Sequence, residues 1–343
     1  MTHQTRLSAF KVLKKVTWIS LVVPGIDIGS PAGFCRLMAR EKINLVFFVC
    51  GRQDQGWDLN IAVDSSDSQN VIDLIESHFA KTTCHFAKSG ILSLFPHRSD
   101  PSIAGSLFHV FEMTGIGPEA LACSNSAISV VLREEAVDIT STALFEPFQF
   151  SAYRTPADWK LAQKGKEKLF KEVVASYQET RPKVYNLEWR EDQNLFRVEL
   201  NNCDLGLMGN AFISFAQQGF IFSFLSSSLS MEQKVSDLFL CVPEYDQKRH
   251  PDVIKESLPE AIINKTAHVA VFSMNGPHFG DRYSIASELL VAFYRANVEL
   301  LALGCAIASI SGVVPAYQID LATDAIKGCF EVPSVIRKIE KIS

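Results

Sequence analysis

Several groups of residues in this 343-residue sequence have types and spacings that could do chemistry. Gly115, Gly117 and Ala120 in "TGIGPEA" stand as G-x-G-x-x-A, the spacing of a dinucleotide-binding turn. Such a turn works between a strand and a helix, where its glycines let the backbone approach a pyrophosphate lying on the helix N-terminus. Here the order is reversed: helical spacing in "SIAGSLFHVFEM" precedes it and the strand-like "EALACS" follows. Gly115 is therefore expected to end a helix in the left-handed conformation. The eight histidines include no H-x-x-x-H or H-E-x-x-H pair, and Cys84-His85 has no further ligand at zinc spacing. A G-x-S-x-G elbow is also absent. No metal, no cofactor and no catalytic residue are expected.

Composition narrows the partners. A hydrophobic fraction of 47% belongs to an ordered globular protein, and the net charge of −5 is spread along the chain, so nucleic acid is not expected as a partner. Eight scattered cysteines, several inside apolar runs such as "FFVCG" and "FLCVP", read as buried free thiols of a reducing cytosol. Arg6, Lys11, Lys14 and Lys15 before "VTWISLVVPGI" follow the order of a signal peptide, but a short apolar run ended by Pro24-Gly25 is equally a strand entering a turn, and a cytoplasmic protein is expected. No apolar run approaches the roughly 18 residues of a membrane helix.

The elements that would position a site repeat along the chain. From Trp18 the pattern is strand "WISLVV", helix "PAGFCRLMAREK", strands "INLVFFVCG" and "WDLNIAVD", and helix "SDSQNVIDLIESHF". Pro31 at a first-turn position and Phe34, Leu37 and Met38 at helical spacing carry the first helix. This is the start of a βαββαβ unit. The order recurs from Gly90, closing on strand "PFQFS", again from Asn194, and again near Ala267. In the third unit the "SSSLS" run from Ser226 is expected in a turn between strands.

Sliding the chain by 182 residues aligns 102–148 with 284–330 without a gap and makes 14 of 47 pairs identical, among them Ile103/Ile285, Phe111/Phe293, Leu121/Leu303 and Asp138/Asp320. Units one and three match more loosely, with Gly33/Gly209 at offset 176 and Asp58/Asp237 at 179. The second half is thus a copy of the first. The expected organisation is 1–88, 89–151, a connector helix in 152–182 capped by Thr155, then 183–264 and 265–343.

Four such units in pairs resemble ACT domains, the regulatory amino-acid-binding modules of biosynthetic enzymes, and most closely those of aspartokinases. The resemblance lies in "AGSLFHVFEMTGIGPEALACSNSAISVVLREE", in "SIASELLVAFYRANVELLALGCAIASISGVV" and in the helix-end Ile43, Asn44 and Leu45. It implies an α+β fold of four ferredoxin-like units in two side-by-side pairs, units one with two and three with four. Each pair would form an eight-stranded sheet with helices on one face. It also implies a free amino acid as ligand, held where a first strand meets a first helix and where a second strand begins. A glycine-rich kinase segment is not seen in the sequence given.

On that resemblance the candidate binding residues are Asp27, Ser30, Ala32, Gly33 and Asn44 in unit one, and Ser99, Asp100, Ile103, Ala104 and Glu119 in unit two. In unit four they are Asn275, Asp281, Ser284, Ile285 and Glu299. Helix-start amides would take the ligand carboxylate and an acidic or amide side chain its ammonium. For Ser30 the plain alternative is a helix cap, and for the other loops a solvated turn. The expected function is a non-catalytic amino-acid sensor, a homo-oligomer that changes its interface with a partner. The alternative is a detached regulatory subunit of an aspartokinase or of another amino-acid biosynthetic enzyme.

Overall fold

The computed structural model describes residues 4–23, 30–53, 56–79, 82–96, 99–124, 126–163, 181–201, 204–229, 235–244, 250–276, 283–306 and 309–338. The first half contains β1 (Thr5–Leu7), β2 (Ala9–Val23), α1 (Pro31–Arg40), β3 (Leu45–Gln53), β4 (Gly56–Asp64), α2 (Ser68–His78) and β5 (Cys84–Phe95). It continues through α3 (Pro101–Thr114), β6 (Ala120–Cys123), β7 (Ile128–Arg133), α4 (Val137–Ala143) and β8 (Phe148–Phe150). After α5 (Pro156–Gln163) come β9 (Asn186–Asn201), α6 (Leu205–Gln217), β10 (Phe224–Leu229), β11 (Val235–Pro243), α7 (His250–Ser257) and β12 (Ile262–Asn275). The last elements are α8 (Ile285–Arg295), β13 (Ala302–Ala306), β14 (Ser309–Pro315), α9 (Ile319–Cys329) and β15 (Val335–Lys338).

Four long antiparallel strands organise the sheet. The Val16–Val23 part of β2 lies between β4 and the start of β5, with β3 outside β4, while its Ala9–Leu13 part pairs with the end of β5, which leads on to β7 and β6. Each long strand therefore serves two ferredoxin-like quartets, turning where the register shifts between Leu13 and Val16 at the left-handed Lys15 (φ 59°). In the second half β9 and β12 repeat the arrangement, with a shift between Thr266 and Val269 and left-handed backbone at Asp192 and His268. The third quartet adds β11 and β10 to β9, and the fourth adds β14 and β13 to β12.

The quartets then join across the halves. Antiparallel pairing of β6 with β10 joins the second to the third, and pairing of β3 with β13 joins the first to the fourth. The expected pairs, one with two and three with four, are thereby corrected: the edges that meet, β6 with β10 and β3 with β13, come from different halves, and the single thirteen-stranded sheet has two eight-strand faces that share the long strands. Since β9 also pairs with β11, the strand order returns on itself, with β15 added beside β9. The "PFQFS" strand does not close the second quartet; β8 instead pairs in parallel with β1, and the N-terminal part of β2 fills its place. Nor is "SSSLS" a turn: Ser226, Ser227 and Ser228 lie in β10, where they pair with Phe239, Leu238 and Asp237.

Strand alternation sorts the core into layers. On the helix-covered side of quartets one and four, Phe34, Met38, Ile75, Leu289, Phe293 and Ile326 share one cluster. For quartets two and three the equivalent cluster holds Phe108, Phe111, Phe212, Phe215 and Ile254, with Phe108 stacked on Phe212 at 5.5 Å. Residues of opposite alternation, such as Trp18, Phe47, Val49, Phe224, Phe239 and Val271, fill the space between the sheets. There β3 and β11 approach so closely that a Cβ on Gly51 would stand 2.2 Å from the Phe239 ring. Burying a side chain of this size stabilises by roughly 1.5 to 3 kcal/mol relative to leaving it exposed.

The same inter-sheet layer holds a polar cluster. Trp18 Nε1 donates to Asn60 Oδ1 (3.1 Å), Asn60 Nδ2 donates to Asp58 (3.2 Å), and Ser228 hydrogen-bonds Asp58. Gln53 Nε2 and Arg197 Nε donate to the two oxygens of Asp237 at 2.7 and 2.9 Å, and Arg197 also pairs with Glu199. Burial, with Asp237 nearby, pushes the Asp58 carboxyl up to about 7.

Candidate functional site

Between quartets one and four, α1 and the start of β3 face the start of α8, the end of β13 and β14 across a small cleft with a water-accessible volume of about 20 Å³. Cys35, Met38, Ile43, Leu45, Cys305 and Ile310 supply apolar lining, and Asn44, Ser284 and Ser287 supply polar groups. Burial pushes the thiols of Cys35 and Cys305 up, with Cys305 acting in addition on Cys35, so both are neutral. No described lining residue carries a charge.

The first helices of the four quartets differ in their caps. Ser30 Oγ accepts from Gly33 N (3.0 Å), Asp100 Oδ1 from Ser102 N (2.9 Å) and Asp204 Oδ1 from Leu207 N (2.9 Å). Ser284, at the matching place before α8, is left-handed (φ 80°) and gives its hydroxyl to Glu288 Oε1 at 2.7 Å instead. The first-turn amides Ile285 to Ser287 thus have no capping side chain among the described residues.

A comparison within the molecule explains why the cleft lies here. In the other sheet α3 and α6 cross at Gly105 and Gly209, and a Cβ on Gly105 would stand 2.9 Å from the Gly209 carbonyl oxygen. Phe222 N–H further donates to the Ser99 carbonyl (3.2 Å), tying quartet three to the start of α3. At offset 182 the counterpart of Gly105 is Ser287, a lining residue of the cleft. The substitution of serine for glycine between two otherwise similar helices is the sequence signal that marks it.

Of the residues expected from sequence, Asn44, Ser284 and Ile285 come together in this cleft, contributed by two quartets. Ser30 caps α1, with Ala32 and Gly33 in its first turn. Asp100 caps α3, and Ile103 and Ala104 are buried in that helix's core face. Glu119 is buried and receives a 2.9 Å hydrogen bond from Arg133 Nε. Asn275 accepts from Tyr185 N and from Ser126 Oγ, and Glu299 pairs with Arg52 while its amide donates to Gln318 Oε1. Asp27 and Asp281 lie outside the described residues. The sequence reading did not single out Cys35, Met38, Ser287, Cys305 or Ile310, whose apolar spacing marks them only as core.

As expected, Gly115 ends α3 in the left-handed conformation (φ 63°), with its N–H on the Glu112 and Phe111 carbonyls. Among the described residues no group of three or more His, Cys, Asp and Glu is placed to hold a metal, and no helix is long and apolar enough to cross a membrane.

No protein-family model matches the chain, and no curated protein matches its sequence. Among solved structures, an aspartate kinase from Synechocystis is similar with a TM-score of 0.78 and 15% identity, over 98% of this chain and 58% of that one. The regulatory subunit of aspartate kinase from Thermus thermophilus, in ligand-free form, matches with a TM-score of 0.39 and 14% identity, over 43% of this chain and 99% of that one. The fold is thus similar to an aspartate kinase, and the chain spans 58% of that kinase's length. This overturns the expectation of a non-enzyme, because a protein that shares the fold over nearly the whole chain is an enzyme.

Proposed function

We propose that the chain is an amino-acid-responsive part of a protein related to aspartate kinases, built of four ACT units, in which a free amino acid binds between the first and fourth. The observation that carries this reading is the meeting of Asn44 from one quartet with Ser284 and Ile285 from another around one cleft. Uncapped α8 amides suit a carboxylate, and the Asn44 side chain suits an ammonium group. A ligand touching both quartets couples α1 to α8, and coupling of about 1 to 3 kcal/mol is typical of such switches. The regulated activity is of the aspartate kinase type, and the place of action is the cytoplasm.

Thermal-shift and calorimetric titration with each of the twenty amino acids tests the proposal. Ligand at 100 times its dissociation constant should add about 2.7 kcal/mol of stability. Absence of a shift and of heat with all twenty would refute an amino-acid site.

A further inference from the structure

We infer that the contact between β4 and β11, where quartets one and three meet face to face, is a proton-sensitive seam: it is tight when Asp58 carries a proton and opens to water when Asp58 is charged. Strand register sets the two aspartates against each other. Asp58 stands opposite Gly51 in the β3–β4 pair, and Phe239, two residues beyond Asp237 in β11, lies against Gly51. Ser228, opposite Asp237 in the β10–β11 pair, hydrogen-bonds Asp58, so the two carboxyl groups lie on either side of one serine. Both aspartates are buried, at 7% and 5% exposure.

The groups around them serve the two carboxyls unequally. From β9, Arg197 gives its Nε to Asp237 at 2.9 Å and its Nη2 to Glu199 at 3.4 Å. The side-chain hydrogen bonds that Asp58 receives among the described residues come from the neutral Asn60 and Ser228. Burial keeps the Cys50 thiol of β3 neutral, and His85 of β5 stands two strands from Asn60, across Ser20. Two carboxylates ionised side by side in a buried site repel, so the pair retains a proton to a higher pH than either would alone. That proton goes to Asp58: burial first, and Asp237 beside it, push its carboxyl up to about 7. Once charged, Asp58 is relieved by water, which enters when β4 parts from β10 and β11. Parting returns Asp58 to the ordinary carboxylate range. Opening should therefore become about tenfold more frequent per pH unit from about pH 5 to pH 7 and level off above that.

The test is NMR on the whole chain from pH 5 to 8, read at the indole N–H of Trp18, a buried group that donates to Asn60 Oδ1 and senses Asp58 through Asn60. Its resonance should shift with a midpoint near 7. Its exchange with solvent, corrected for the intrinsic pH dependence of indole exchange, should be about tenfold or more faster at pH 8 than at pH 5. Asp58→Asn should abolish both effects, and Asp237→Asn should lower the midpoint by about half a pH unit or more. A resonance that does not titrate, or a midpoint untouched by Asp237→Asn, overturns the paired carboxyls and with them the inference. Titration without faster exchange shows that the seam stays shut over a charged Asp58 and overturns it equally. If Asp58→Asn fails to fold, the wild-type profile and Asp237→Asn still decide.

Discussion

Asp58 of β4 and Asp237 of β11 occupy matching places in the two halves of the chain and share one buried polar cluster between the sheets. Among the described residues one arginine, Arg197, acts on both, and it is hydrogen-bonded to Asp237. The duplication thus brought two copies of one carboxylate to a common interior, where Asp58 titrates near neutrality.

The first prediction follows from that titration. Because the folded-state value, about 7, lies above the ordinary 3.8, the folded chain binds more protons than the unfolded chain between these values. The stabilisation from protonated Asp58 is therefore complete below about pH 4 and is lost as pH rises through about 7. Asp58→Asn should flatten the fall in stability from pH 4 to 8 and raise stability at pH 8, by an amount on the order of 3 kcal/mol. Urea denaturation at several pH values measures it; parallel profiles for variant and wild type would contradict the assignment.

The helix crossing makes a second prediction. A Cβ on Gly105 would collide with the Gly209 carbonyl and Ile213, and backbone cannot swing aside as a side-chain tip can. Gly105→Ala should destabilise by about 1 to 3 kcal/mol, whereas Ser287→Gly at the matching place should cost no more than about 1 kcal/mol. Equal losses in denaturant midpoints would show that the two crossings are equally tight.

A third concerns the cap of α3. Removing the Asp100 carboxylate leaves the Ser102 amide without its acceptor, so Asp100→Ala should cost about 1 kcal/mol. Asp100→Ser or Asp100→Asn should recover most of it. A melting temperature unchanged by the alanine variant would assign that amide another acceptor.

A fourth tests the repeat itself. Phe111 and Phe293 are equivalent at offset 182 and both buried, at 0% and 2% exposure. Alanine at either should cost about 3 to 5 kcal/mol, because each opens a cavity in a different helix-covered core. A loss below 1 kcal/mol at one of them would mean that its core has collapsed around the gap.

Local order was legible in the sequence, and partner choice was not. Apolar spacing around Phe34 and Met38 or Leu107 and Phe111 identifies a helix and its buried face because that information lies within one turn. Which quartet edge meets which depends on residues far apart: Cys123 pairs with Leu225 and Cys50 with Leu303, and nothing in either strand names the other. The unit boundaries at 88/89 and 264/265 fell inside β5 and β12 because a strand that changes quartets keeps its alternation. Ser226 looked like a turn since small polar residues favour turns, yet a sheet interior accepts them where neighbours crowd. Of the candidate site, Asn44, Ser284 and Ile285 were reached through family resemblance, whereas Ser287 carried information only against Gly105.

The return of the strand order on itself has a consequence in mass action. The pairings of β3 with β13 and of β6 with β10, which separate chains could make only at sufficient concentration, are here made within one molecule. Dilution cannot part α1 from α8, because the covalent chain sets their effective concentration. A molecule held between α1 and α8 would therefore meet both helices in every folded chain, whatever the chain's concentration.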